Sequence, residues 1–239
     1  TIAGWAYNRS DPHLQRKKHD IKRYLQERCN RLLKTQLEVS AEIPVIAVRS
    51  RLTEQKGFDL IVEGLRKWRH AWPAQFVIIA WGEKRYAKPL KKLATAHPQW
   101  IAFSESWQVA PEPLHYAGAD MLLMPSLFEP CGLPHMMALR YGTLPIVRQT
   151  GGLADVVQDF DPQTKAGNGF VFQAPDVEEM LHAVEGALET YHQRPDYWQE
   201  LLTSAMQARD RYGHDFTWTT AANRYLKELY EMGDRTDTC

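Results

Sequence analysis

The segment Pro125-Ser126-Leu127-Phe128-Glu129-Pro130-Cys131-Gly132-Leu133 sets one carboxylate on a tight turn. Before it stands the apolar run Met121-Leu122-Leu123-Met124, and after it a helix-spaced stretch that reaches Arg140. Ligands of open α/β sheets bind at the carboxyl ends of strands, beside helix N-termini whose free N–H groups hold anionic or hydroxylated groups. Glu129, ahead of a Cys131-Gly132 pair that lets backbone approach closely, reads as a ligand-binding elbow. The simpler reading is a strand-to-helix turn whose Glu caps the helix. Three further segments bear on the choice. Arg51 and Lys56, in Arg49-Ser50-Arg51-Leu52-Thr53-Glu54-Gln55-Lys56-Gly57, put two cations at a helix start, and such groups are the usual partners of phosphate oxygens. Trp107, in Glu105-Ser106-Trp107-Gln108, lies just past a strand end, fit to stack on a nucleotide base or to edge the core. Thr150-Gly151-Gly152-Leu153 places two glycines before another helix.

The elements that must gather these loops are legible as a pattern. From Pro44 the chain alternates short apolar runs with amphipathic stretches. Strands are expected at 45–48, 76–81, 100–103, 121–124, 144–147 and 170–172, and helices at 59–68, 90–96, 112–117, 133–140 and 153–157. Runs apolar on both faces, separated by helices, predict an α/β protein with a parallel sheet covered on both faces. Right-handed crossovers make that sheet Rossmann-like. After Pro175 the spacing becomes helical, at 177–191, 198–211 and 219–232, with Asp176 and Thr217 as N-caps. The tail 233–238 is polar and expected to fray.

Residues 11–39 read as one helix with Leu14, Ile21, Leu25, Leu32 and Leu33 as its apolar stripe. Its other faces carry Arg16, Lys17, Lys18, Lys22, Arg23, Arg28, Arg31 and Lys34. A solvated helix is favoured over a nucleic-acid arm. Residues 1–40 are set apart as a linker segment, and 41–239 as the domain proper. Converging on one edge of that domain, the four loops make a cationic, Gly-lined pocket with an aromatic and a carboxylate. That combination suits a sugar nucleotide, with cations on the diphosphate, the aromatic on the base, and carboxylate and N–H groups on sugar hydroxyls.

Composition narrows the remaining classes. The 29 basic and 29 acidic residues cancel, so no global field recruits nucleic acid or an anionic membrane. No apolar run approaches the ~20 residues that span a bilayer. Cys29, Cys131 and Cys239 are too few and too far apart for a disulfide framework or a metal site, which suits a reducing compartment. The opening Thr1-Ile2-Ala3-Gly4-Trp5 has neither signal peptide nor initiator Met, as expected of a piece of a longer protein.

Taken together, Ser50 to Gly57, Pro125 to Leu133, Arg140-Tyr141-Gly142-Thr143-Leu144-Pro145 and Thr150 to Leu153 resemble bacterial glycogen synthase and plant starch synthase. These are retaining glucosyltransferases of the GT-B fold that use ADP-glucose. The likeness runs in register over residues 44–175, and Asp159-Phe160-Asp161 with Gly167-Asn168-Gly169-Phe170 resembles the starch synthase III and IV type more loosely. It implies that Arg51 and Lys56 bind the donor diphosphate and stabilise it as leaving group. It also implies that Glu129 binds a glucose hydroxyl and that the backbone at Cys131, Gly132 and Leu133 holds the same sugar or its phosphate. Trp107 stands where the family has an aromatic under the adenine, and Thr150, Gly151 and Gly152 fall in the donor-binding loop. The resemblance implies no cofactor or divalent metal, an α-1,4-glucan acceptor, and a bacterial cytoplasmic or plastid location. Cys131 is expected to be a small packing residue, not a nucleophile.

The chain departs from the family at several places. Pro134-His135 stands where Thr-Gln is usual, Leu127 replaces a frequent Arg, and Met137 occupies the place of a second Glu found in related GT-B families. The family's amino-terminal Rossmann domain, with its glycine loop, has no counterpart in these residues, so 1–40 resembles the interdomain linker. The expected function is the donor-binding domain of a glycogen or starch synthase, with little activity alone. Two alternatives stand beside it: another GT-B transferase using a UDP-sugar, and a degenerate glucan-binding scaffold.

Overall fold

The computed structural model describes residues 7–68, 73–209 and 213–230. Six strands alternate with helices: β1 (Val45–Leu52), β2 (Gln75–Gly82), β3 (Ile101–Ser104), β4 (Met121–Met124), β5 (Leu144–Arg148) and β6 (Phe170–Phe172). They form one parallel sheet in the order β3-β2-β1-β4-β5-β6. The chain builds outward from β1 to β3, then crosses back to β4 on the other side of β1. That reversal leaves a crevice beyond the carboxyl ends of β1 and β4, where doubly wound sheets bind ligands.

Strand alternation fills two cores. Ile46, Val48 and Leu52 of β1 join one cluster, which is covered by α2 (Phe58–Lys67), α3 (Lys84–Ala96), α7 (Val177–Gln193) and α8 (Pro195–Met206). Val45 and Ala47 join the other, beneath α1 (Leu14–Leu33) and α4 (Glu112–Gly118). In chain order α5 (Leu133–Arg140) joins β4 to β5, α6 (Gly151–Val156) lies between β5 and β6, and α9 (Trp218–Tyr225) follows α8. Both expected caps form: Asp176 accepts from the amides of Glu178 and Glu179, and the Thr217 hydroxyl accepts from Thr220. Residues 210–211 and 231–232 of the expected last helices, the opening five residues, the polar tail and Cys239 lie outside the described residues.

Helix α1 differs from its expected form. It ends at Leu33, where Lys34 turns left-handed at φ 58°. Lys18 and Lys22, expected on a solvated face, are buried. Lys22 Nζ lies 2.8 Å from Asp120 Oδ2 and also donates to the Ala41 carbonyl and the Tyr191 hydroxyl. Lys18 Nζ donates to the carbonyls of Ala117, Ala119 and Tyr141, and burial pushes its pKa down to about 8. Buried cations persist only when so partnered. The two lysines thus fasten α1 to the amino end of β4, opposite the crevice.

Candidate functional site

The crevice is stitched together by backbone. After β1, the Glu54–Lys56 turn leads into α2 through Gly57, whose φ is 72°. A Cβ on Gly57 would stand 2.0 Å from the Pro125 carbonyl oxygen, so only glycine lets the β1 loop lie against the elbow after β4. Leu127 N–H donates to the Gln55 carbonyl at 2.8 Å, and the Gln55 side chain donates to the Phe128 carbonyl at 3.2 Å.

Across this seam Lys56 meets Glu129. The ammonium is 2.5 Å from Glu129 Oε2, and Ser126 Oγ donates to the same oxygen at 3.2 Å. Glu129 is only 6% exposed, so it is a buried carboxylate whose charge is met by one cation and one hydroxyl. It does not cap α5: Gly132 holds the N-cap position, without any side-chain cap. Glu129 therefore faces Lys56 across the crevice and leaves the helix end open. The amides of Cys131, Gly132 and Leu133 make no hydrogen bond among the described residues. A helix N-terminus with free N–H groups, one cation and one carboxylate can hold an oxyanion beside a hydroxyl-rich group.

Arg51, the other expected cation, is exposed at the end of β1, and its guanidinium makes no hydrogen bond or ion pair among the described residues. Trp107 is 58% exposed in the loop after β3. Gly151 and Gly152 pack directly under the elbow. Gly152 N–H donates to the Glu129 carbonyl at 2.8 Å, and a Cβ there would stand 2.2 Å from the Cys131 carbonyl oxygen. Thr150 occupies the N-cap of α6 with no side-chain cap bond. Leu133 and Cys131 are exposed, so Cys131 is not the packing residue expected at the elbow; the close contact falls instead to Gly152.

Three residues at this edge were given no role from sequence. Arg148, at the end of β5, braces the elbow by donating Nε to the Ser126 carbonyl at 2.9 Å and an Nη to that of Leu127. Its signal was a cation directly after an apolar strand. Ser126 was inside the quoted motif but carried no role. His135, the departure after Leu133, is fully buried with neither ring nitrogen hydrogen-bonded among the described residues, and burial pushes its pKa down to about 4. The site is an open edge: grooves of about 710 Å³ against β6 and α7, and about 720 Å³ along α3, lie elsewhere.

A doubly wound parallel sheet with cations, a buried carboxylate and a helix N-terminus at its switch point defines an α/β domain of the Rossmann type. Residues 31–200 match the family model described as glycosyl transferases group 1, and the chain belongs to that family. The sheet is a Rossmann-like half of the GT-B fold. A glycogen synthase of Pseudothermotoga lettingae is 39% identical over 219 residues, 92% of this chain and 42% of its own length. One of Kosmotoga olearia is 42% identical over 190 residues, 80% of this chain and 38% of its own. The catalytic domain of starch synthase IV from Arabidopsis thaliana, bound to ADP and acarbose, is 28% identical with a TM-score of 0.74, over 97% of this chain and 47% of that one. The chain thus spans less than half the length of these three relatives. Among the described residues no helix is long and apolar enough to cross a membrane.

Proposed function

We propose that this chain is the donor-binding half of a glycogen or starch synthase, which moves glucose from ADP-glucose to the non-reducing end of an α-1,4-glucan with retention. The observation that carries the reading is the Lys56–Glu129 pair held at the mouth of α5, in a chain 39% identical to a glycogen synthase over 219 residues. In this reading Arg51 and Lys56 take the diphosphate, and charge growing on the leaving group as the glucosyl bond breaks is met by cations already in place. Lys56 has three donors, so it can bridge Glu129 and a phosphate oxygen together. Glu129 takes a glucose hydroxyl, and the amides of Cys131, Gly132 and Leu133 take the sugar or its phosphate. Thr150, Gly151 and Gly152 hold the elbow in shape, and Trp107 stacks on the base.

The one-sided crevice supports the further reading that a second Rossmann domain closes over it, joined through residues 1–40, in an enzyme of the bacterial cytoplasm or plastid stroma. Calorimetric titration with ADP-glucose and UDP-glucose tests the donor assignment. Tighter binding of ADP-glucose is expected. Preference for UDP-glucose would make this another GT-B transferase, and glucan retention without nucleotide binding would make it a scaffold.

A further inference from the structure

Besides Trp107, a second indole stands exposed at the same sheet edge. Trp81, the penultimate residue of β2, is 43% exposed. Neither indole makes a hydrogen bond or a ring contact, and no cation sits over either, among the described residues. Large aromatics left bare at the carboxyl ends of adjacent strands are well placed to meet a ligand.

Register and hydrogen bonds put the two on one side of the sheet. Trp81 pairs with Arg51 across the β1–β2 ladder. Both lie at odd-numbered positions, on the face that carries Val45, Ala47, Val77 and Ile79 toward α1 and α4. The loop bearing Trp107 is pinned to that same face. Arg49 of β1 donates to the Ala110 carbonyl at 3.0 Å, and Arg28 of α1 donates to that of Val109 at 2.7 Å. An unpaired guanidinium therefore shares one face of the strand ends with two unpaired indoles, beside the Lys56–Glu129 seam.

We propose that Trp81 joins Trp107 in an aromatic cleft for the purine base of the nucleotide donor and is a determinant of base selectivity. The inference rests on the donor-site reading above and adds to it a residue that nothing in the family motifs marks. Stacking grows with the overlapping ring area, so a cleft of two indoles favours a two-ring purine over a one-ring pyrimidine.

The test is calorimetry of ADP, UDP and inorganic pyrophosphate on the wild-type chain and on Trp81→Ala, Trp81→Phe and Arg51→Ala. Trp81→Ala is expected to weaken ADP about tenfold, to weaken UDP less, and to leave pyrophosphate unchanged. Trp81→Phe is expected to restore most of the ADP affinity. If Trp81→Ala leaves ADP unchanged while Arg51→Ala weakens it, the cleft is disproved and the donor site stands. If Trp81→Ala weakens pyrophosphate as much as ADP, Trp81 is structural and the proposal fails. If the wild-type chain binds neither ADP nor pyrophosphate, the donor reading falls and takes the cleft with it.

Discussion

The Lys56 ammonium and the Glu129 carboxylate, 73 positions apart in sequence, are bonded at 2.5 Å across the switch point of the sheet. Cation and anion expected to take different parts of one ligand are thus partners of each other. The pair gives a nearly buried carboxylate the hydrogen-bonded cation that burial of such a group requires.

Removing one partner leaves the other stranded. Lys56→Ala is expected to destabilise the fold by about 3 kcal/mol, as for a broken buried pair. The double variant Lys56→Met with Glu129→Gln is expected to recover most of that loss. Urea denaturation measures both, and equal stability of the single and double variants would deny the coupling.

Gly57 is expected to tolerate no side chain. Alanine there meets the Pro125 carbonyl oxygen and is held at a left-handed φ. Gly57→Ala should cost about 3 kcal/mol from overpacking and strain together, and should part the β1 loop from the elbow. Thermal melting shows the first effect, and faster exchange of the Leu127 amide, bonded to Gln55, shows the second.

Much of this was legible in the chain because it is local. Six apolar runs bounded by turn residues mark six strands, and a Rossmann order brings Lys56 and Glu129 to one edge by rule. That they bond each other is not local, because it depends on where the Gly57 loop docks. Helix α3 begins at Lys84, six residues before its expected start, because Pro89 inside it reads as a break. The lysines of α1 misled for a related reason: a cation looks solvated until Asp120, about a hundred positions later, comes to meet it. Trp81 read only as the end of an apolar strand, and on its β3 side β2 runs past the last paired residue, Ile79, which pairs with Ser104.

Lys22 and Arg23 stand next to each other on α1 with different fates. Lys22→Ala strands the buried Asp120, which also accepts from Val45 N–H, and is expected to cost about 3–5 kcal/mol. Arg23→Ala breaks only an exposed pair with Asp20 and should change stability by less than about 0.5 kcal/mol. Paired denaturant midpoints check the contrast.

Acid should weaken the fold through two buried histidines. Burial pushes His115 down to about 3 and His135 down to about 4, both below the ordinary 6.5. Between those values the unfolded chain binds more protons than the folded one, so stability falls as pH drops from 6.5 toward 4. For His135 the loss by pH 4 is on the order of 3 kcal/mol. His135→Gln is expected to flatten that limb of the stability–pH curve, and an unchanged slope would show that His135 does not drive it.

Arg51 gives the most direct test of the donor site, since its guanidinium has no partner among the described residues and its loss disturbs no buried charge. The measurement is ADP affinity by calorimetry for the wild-type chain and Arg51→Ala. One charge-assisted phosphate contact contributes about 1.5–3 kcal/mol, so ADP binding should weaken tenfold or more at unchanged melting temperature. Equal ADP affinity in the two proteins would contradict the assignment of this strand edge to the donor diphosphate.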